Sequence, residues 1–274
     1  MKTRIISGIV ILLFGLAIIV FNSSFPLSLN IVIAIISAGC VYELIKVVGL
    51  LKRWEFLFPS MIVSVLVPFS GIAFNGTFTL YCIYSFVMFL VLILHHKTVT
   101  FKDLVVVYSM CLMIPSALQT IVNIRALSDN HGMFFVLIAI GSAWVPDIGA
   151  YFAGTFFGKH KLCPDISPKK TVEGFVGGII FSIIVMMVAG YVFSELIYGG
   201  TVAVNYLSLA IIGAVCSLIS VVGDLSFSIV KRNCGVKDFG NLIPGHGGFL
   251  DRFDSVIFTS PFVYLILSYL PLVK

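Results

Sequence analysis

The chain has 274 residues, of which 59% are hydrophobic and 11% charged, with a formal net charge of +5. Soluble domains carry about a quarter charged residues, so this composition excludes a soluble globular protein and indicates an integral membrane protein. Positive charge on a membrane protein follows from topology and from attraction to anionic lipids; the chain has no nucleic-acid module, so no nucleic-acid partner is expected.

Nine helical spans are predicted in chain order, at 5–21, 31–51, 57–73, 78–94, 104–122, 132–157, 174–194, 204–232 and 253–273. The fold class is therefore all-α, a polytopic bundle of about nine transmembrane helices. The first span follows Lys2 and Arg4 and lacks a small-residue cleavage site, so it reads as a retained helix. The third holds Pro68 and is short, and the long sixth and eighth are each expected to bury charge. Residues 1–130 form an N-terminal transmembrane region. Residues 131–274 form a C-terminal catalytic region with two polar loops, 158–173 and 233–252. The six cysteines (40, 82, 111, 163, 216 and 234) lack CxxC spacing, which excludes a zinc site or a disulfide framework and leaves most of them as packing residues.

Basic residues set the orientation. With the N-terminus in the cytoplasm, the cytoplasmic side holds Lys2, Arg4, Lys52, Arg53, Lys97, Lys102, Lys159, Lys161, Lys169, Lys170, Lys231, Arg232, Lys237 and Arg252, most of the 17 basic residues. The opposite orientation inverts this bias, so the N-terminus is expected inside and the C-terminus outside. Both polar loops then face the cytoplasm, where nucleotides and Mg²⁺ are found.

Charge is concentrated between Ser228 and Asp254, together with Gly235, Gly240, Gly245, Gly247 and Gly248. Cations suit phosphate, carboxylates suit a hard metal ion, and glycines let backbone N–H groups approach both. On one continuous helix, Asp224, Ser228, Lys231 and Arg232 share a face and reach about 12 Å from the headgroup zone towards water. An acid within a span is costly without a partner, which marks Asp224 and Asp147 as functional candidates. Asp251 and Asp254 bracket Arg252 at the start of the last span. They suit Mg²⁺ beside a glycine-rich turn, and helix capping would account for them equally simply. His246 in that turn is either a phosphate contact or structural. Ser167, Lys169, Lys170, Thr171 and Glu173 open the seventh span and make an anion site at a helix N-terminus. Gly154 and Gly158 read as helix-packing residues.

Three segments carry a resemblance: Asp147-Ile-Gly-Ala-Tyr-Phe-Ala-Gly154, Ser167-Pro-Lys-Lys-Thr-Val-Glu-Gly174, and the run from Ser228 to Asp254 that includes Lys237-Asp-Phe-Gly240 and Ile243-Pro-Gly-His-Gly-Gly-Phe-Leu-Asp-Arg-Phe-Asp254. Together they resemble the phosphatidate cytidylyltransferases. The resemblance implies that CTP and phosphatidic acid give CDP-diacylglycerol and pyrophosphate for phospholipid biosynthesis. It implies Mg²⁺, with Asp224 and Asp251 as the foremost metal ligands and Asp254 beside them, and room for K⁺ near Ser228. Lys231, Arg232 and Lys237 fall in the catalytic set. Gly247, Gly248, Arg252, His246, Ser228, Asp147 and the 167–173 residues fall in the substrate-binding set. Expected partners are CTP, phosphatidic acid and membrane lipids, with a homodimer as the candidate assembly. The expected location is the inner (plasma) membrane, with the site facing the cytoplasm. Two other readings stay open: a CTP-dependent polyprenol or lipid-alcohol kinase, and an ion-coupled transporter built around Asp147.

Overall fold

The structure is a computed structural model that describes residues 25–72, 76–242, 245 and 247–273. The span expected at 5–21 lies outside these residues, as do Lys2, Arg4 and His246. The described chain is dominated by helices, and six of them are long and apolar enough to cross a membrane. It is thus an all-α, multi-pass membrane protein. The chain divides into two compact units: Met1–Val122 with Asn233–Phe253, and Asn123–Arg232 with Asp254–Lys274.

The first unit holds α1 (Ser28–Val47), α2 (Trp54–Leu66) with a 3₁₀ turn at Val67–Phe69, α3 (Thr77–Leu94) and most of α4 (Phe101–Ala126). The short third span foreseen around Pro68 is α2 plus this turn, shorter than the other spans. Apolar faces meet at Cys40, Leu44, Phe56, Met88, Cys111 and Leu118, all buried. Van der Waals packing and polar pairs hold helices together in lipid, where burial of apolar surface gives no extra drive. Asn30 Nδ2 donates to the Pro68 carbonyl at 2.7 Å. Ser60 Oγ and the Tyr84 hydroxyl lie 3.0 Å apart. Gln119 Nε2 donates to Ser70 Oγ at 2.6 Å, and Thr77 Oγ1 donates to Gln119 Oε1 at 3.0 Å. All six cysteines are free, and Cys40, Cys111 and Cys216 are fully buried, acting as small packing residues.

The second unit holds α5 (Gly132–Phe157), a β-hairpin, α6 (Val172–Tyr191) with a π-helical turn at Val192–Ile197, α7 (Tyr206–Asn233, as far as Arg232) and α8 (Leu250–Tyr269, from Asp254). The hairpin pairs β1 (Lys161–Cys163) antiparallel with β2 (Ser167–Thr171). The sequence pattern predicts a plain loop here. Ser167 to Thr171 instead pair as a strand, and the helix starts two residues before the expected 174. Thr171 is the N-cap, its hydroxyl accepting from the Gly174 N–H at 3.1 Å, which satisfies one of the N-terminal donors that no helix can pair internally.

Helices α5 and α6 approach closely because small residues face each other. A Cβ on Gly178 would lie 2.8 Å from the Pro146 carbonyl oxygen, and one on Gly174 would lie 2.7 Å from the Ala150 oxygen. Gly154 and Gly158 press against Thr171, the cap of the neighbouring helix, so the packing role expected for them is the one they have. Ser220 Oγ of α7 donates to the Ala143 carbonyl of α5 at 3.0 Å, and Ser208 Oγ donates to Leu270 O at 2.9 Å, joining the start of α7 to the end of α8. Gly178→Val is expected to destabilise the protein by about 1–3 kcal/mol through overpacking. Ile180→Val on the exposed face of α6 is expected to change little. Thermal unfolding of the two variants in detergent checks this.

Candidate functional site

In the second unit, β2 and α7 bring together an ion pair from distant positions. Lys170 Nζ lies 2.5 Å from Asp224 Oδ2, and both side chains are about three-quarters shielded, at 23% and 25% exposure. The ammonium is sealed from solvent and makes no aligned hydrogen bond, so charge is what holds the pair. Asp147 on α5 feels both Lys170 and Asp224. Asp254, in the first turns of α8, feels Asp224, Lys231 and Asp147. Three carboxylates from three helices therefore share one electrostatic neighbourhood with two lysines.

Asp254 is buried, at 7% exposure, Asp224 keeps a quarter of its side-chain surface, and Asp147 keeps accessible surface on α5. Asp254 Oδ1 accepts from the Ser255 N–H at 2.7 Å. Ser228 lies half-buried one helical turn beyond Asp224, Lys231 is half-buried, and Arg232 is exposed.

On the hairpin, Lys169 is exposed. Glu173 acts locally. Its carboxylate accepts from the Lys159 N–H at 3.1 Å and the His160 N–H at 3.2 Å, and it pairs with His160 Nδ1 at 2.6 Å. It ties the entry of the hairpin to the first turn of α6 and so fixes where the Lys169–Lys170 strand lies. Thr171 and Glu173 thus bracket the start of α6, one as cap and one as anchor.

In the first unit, the glycine-rich segment folds over acids. Asp251 Oδ2 accepts from the Phe239 N–H at 2.8 Å and from the Gly248 N–H at 3.1 Å. Gly235, Gly245 and Gly247 have positive φ, a conformation open to glycine and strained for other residues. Gly247 and Gly248 lie against Asp251 and Glu43 respectively. Lys237 and Arg252 are exposed. Glu43 is not among the candidates drawn from the sequence. This acid is 1% exposed in α1, and its Oε2 accepts from the Leu250 N–H at 2.9 Å. The signal was present, since the rule that singled out Asp147 and Asp224, an acid inside an apolar span, applies to Glu43 as well.

Among the described residues, no group of three or more His, Cys, Asp or Glu side chains stands ready to hold a metal ion unaided. Mg²⁺ does not require one, because it binds through one or two carboxylates and completes its shell with water and phosphate oxygens. An oxygen-only donor set such as Asp224 and Asp254, with cationic charge already drawn to Asp224, fits that chemistry.

Comparison with known proteins follows the same line. The chain is 32% identical over 283 residues to the phosphatidate cytidylyltransferase of Bacillus subtilis (strain 168), with 98% of each chain aligned. It is 45% identical over 138 residues to the phosphatidate cytidylyltransferase of Staphylococcus saprophyticus, and 42% identical over 138 residues to that of Staphylococcus aureus (strain COL), each match spanning half of both chains. The model of the Cytidylyltransferase family matches residues 2–270, nearly the whole length, and the chain belongs to that family.

Proposed function

We propose that this protein transfers the cytidylyl group of CTP to phosphatidic acid, giving CDP-diacylglycerol and pyrophosphate. The observation that carries this reading is the Lys170–Asp224 pair with Asp147, Asp254 and Lys231 around it, in a chain aligned end to end with a phosphatidate cytidylyltransferase. The lipid phosphate is a monoester whose second ionisation lies near pH 6, by analogy with phosphorylated side chains. It is a nucleophile at neutral pH and needs no strong general base. Its oxygen attacks the α-phosphorus of CTP, the bond from that phosphorus to the bridging β-oxygen breaks, and pyrophosphate leaves with the electron pair.

The difficulty is bringing two anions together. Lys170 would meet it by exchanging its Asp224 partner for a substrate phosphate. Lys169 on the same strand, with Lys231 and Arg232, would add charge that holds phosphates in line. Asp224 and Asp254 would hold Mg²⁺, which supplies charge compensation for the phosphate oxygens when bound. Ser228, one turn from Asp224, would offer a neutral oxygen to a monovalent cation such as K⁺.

The membrane arrangement we propose has nine spans in the cell's inner (plasma) membrane, the N-terminus in the cytoplasm, and the hairpin and glycine-rich segment on the cytoplasmic side. The distribution of Lys and Arg supports it. A membrane-impermeant maleimide is expected to label Thr201→Cys on intact cells, in an otherwise cysteine-free chain, and to label Asp165→Cys only after permeabilisation. The reverse pattern sinks the orientation.

Purified protein given CTP, Mg²⁺ and phosphatidic acid is expected to release pyrophosphate, measured by a coupled assay. Release of CDP instead identifies a lipid kinase. Asp224→Asn is expected to lower kcat by about 10³-fold in a protein that stays folded, with a lower thermal midpoint because the Lys170 ammonium loses its carboxylate. Lys169→Gln and Lys231→Gln are expected to raise KM for CTP or lipid about tenfold, with little change in stability. Parallel losses of activity and stability would mean that these lysines serve structural ion pairs.

A further inference from the structure

Glycines in the 240–248 segment invite a phosphate-binding explanation, yet two of them face a protein carboxylate. A Cβ on Gly240 or on Gly248 would collide with the Glu43 carboxylate oxygens. One helical turn earlier on α1, a Cβ on Gly39 would lie 2.7 Å from the Phe249 ring. Gly39 and Glu43 are four residues apart and so share a face of α1. That face receives Gly240, Gly248, Phe249 and Leu250. Glu43 Oε2 accepts from the Leu250 N–H at 2.9 Å, 207 residues away in sequence. Its Oε1 is buried with no hydrogen-bond partner. Asp251 stands within electrostatic reach of Glu43 and binds the same segment through the amides of Phe239 and Gly248.

A buried acceptor that meets backbone amides while Gly240 and the Gly248–Leu250 stretch close over it acts as a peg. Two acids hold the segment from below, Glu43 at the amide of Leu250 and Asp251 at those of Phe239 and Gly248. The segment they hold leads from Lys237 to Arg252, residues that the family resemblance places in the catalytic and substrate-binding sets. We infer that Glu43 is a positioning residue, which pins the glycine-rich segment to α1 and so sets the placement of Lys237, Asp251 and Arg252 for cytidylyl transfer. Gly240 and Gly248 are glycines because the peg occupies the space a side chain would need. The contact stands on the geometry alone; its role in catalysis rests on the proposed reaction.

The test uses the full-length purified protein and three single variants, Glu43→Gln, Glu43→Asp and Gly248→Ala, with the double variant Glu43→Asp/Gly248→Ala. Amide exchange across 239–250, the thermal midpoint and pyrophosphate release are measured for each. Glutamine keeps the length and a carbonyl acceptor for Leu250, so exchange and kcat are expected within about threefold of the parent. Aspartate withdraws the acceptor by one methylene, so the Leu250 amide is expected to exchange at least about tenfold faster and kcat to fall by a similar factor. Gly248→Ala is expected to lower kcat at least about tenfold in the parent and less than about threefold further in the Glu43→Asp background, because the space has been vacated. Retained protection of Leu250 in Glu43→Asp, rapid exchange in a folded Glu43→Gln, or the same effect of Gly248→Ala in both backgrounds overturns the inference. If the parent protein releases no pyrophosphate, the proposed reaction fails, while the exchange measurements still decide the role of Glu43 as a peg.

Discussion

Every charged group in this protein answers to one constraint: an ion in hydrocarbon must find a partner, find water or lose its charge. The chain has few charges, and several of the acids set into its described helices have partners. Asp224 faces Lys170, Asp147 and Asp254 join the same neighbourhood, and Glu43 is enclosed by backbone amides. Glu43, held by a backbone amide, belongs to the scaffold.

The two units use the same device for opposite purposes. In the second, a hairpin capped by Thr171 and anchored by Glu173 presents Lys170 to Asp224. The partner is a cation on a long side chain, so the pair can be traded for a ligand. In the first, Asp251 and Glu43 bind backbone N–H groups, which have nowhere else to go. An ion pair between side chains can open and close during turnover, whereas a carboxylate holding amides defines a shape. Asp251 and Asp254 lie on one helix, three residues apart, yet one grips the glycine-rich segment and the other faces Asp224 and Lys231. Asp251, in the first turn of the helix, also accepts from the Gly248 N–H three residues earlier, so helix capping accounts for part of its role.

Much of the fold was legible in the sequence because apolar runs report spans directly, and the small residues of α5 and α6 announced close packing. The site was legible as a set of residue types. The partners were not, since nothing local links Lys170 to Asp224 across more than fifty positions. The hairpin was missed because Ser-Pro-Lys-Lys-Thr followed by Val-Glu-Gly reads as a loop leading into a helix, and a strand of so few residues has no periodicity to read; that Thr171 is the cap came from the structure. Glu43 was missed for a different reason. Its span looked ordinary, and the glycines that betray its position lie some two hundred residues later, in a segment whose own charges drew attention to phosphate.

That separation matters during synthesis. Ribosomes add about 5–20 residues per second, so the 207 positions between Glu43 and Leu250 represent roughly 10–40 s in which α1 exists and its amide partner does not. For that interval the acid of α1 is a polar group in a nascent membrane segment with its eventual cover still unmade. The first unit closes only after all of α7 has been made, because Asn233–Phe253 completes it.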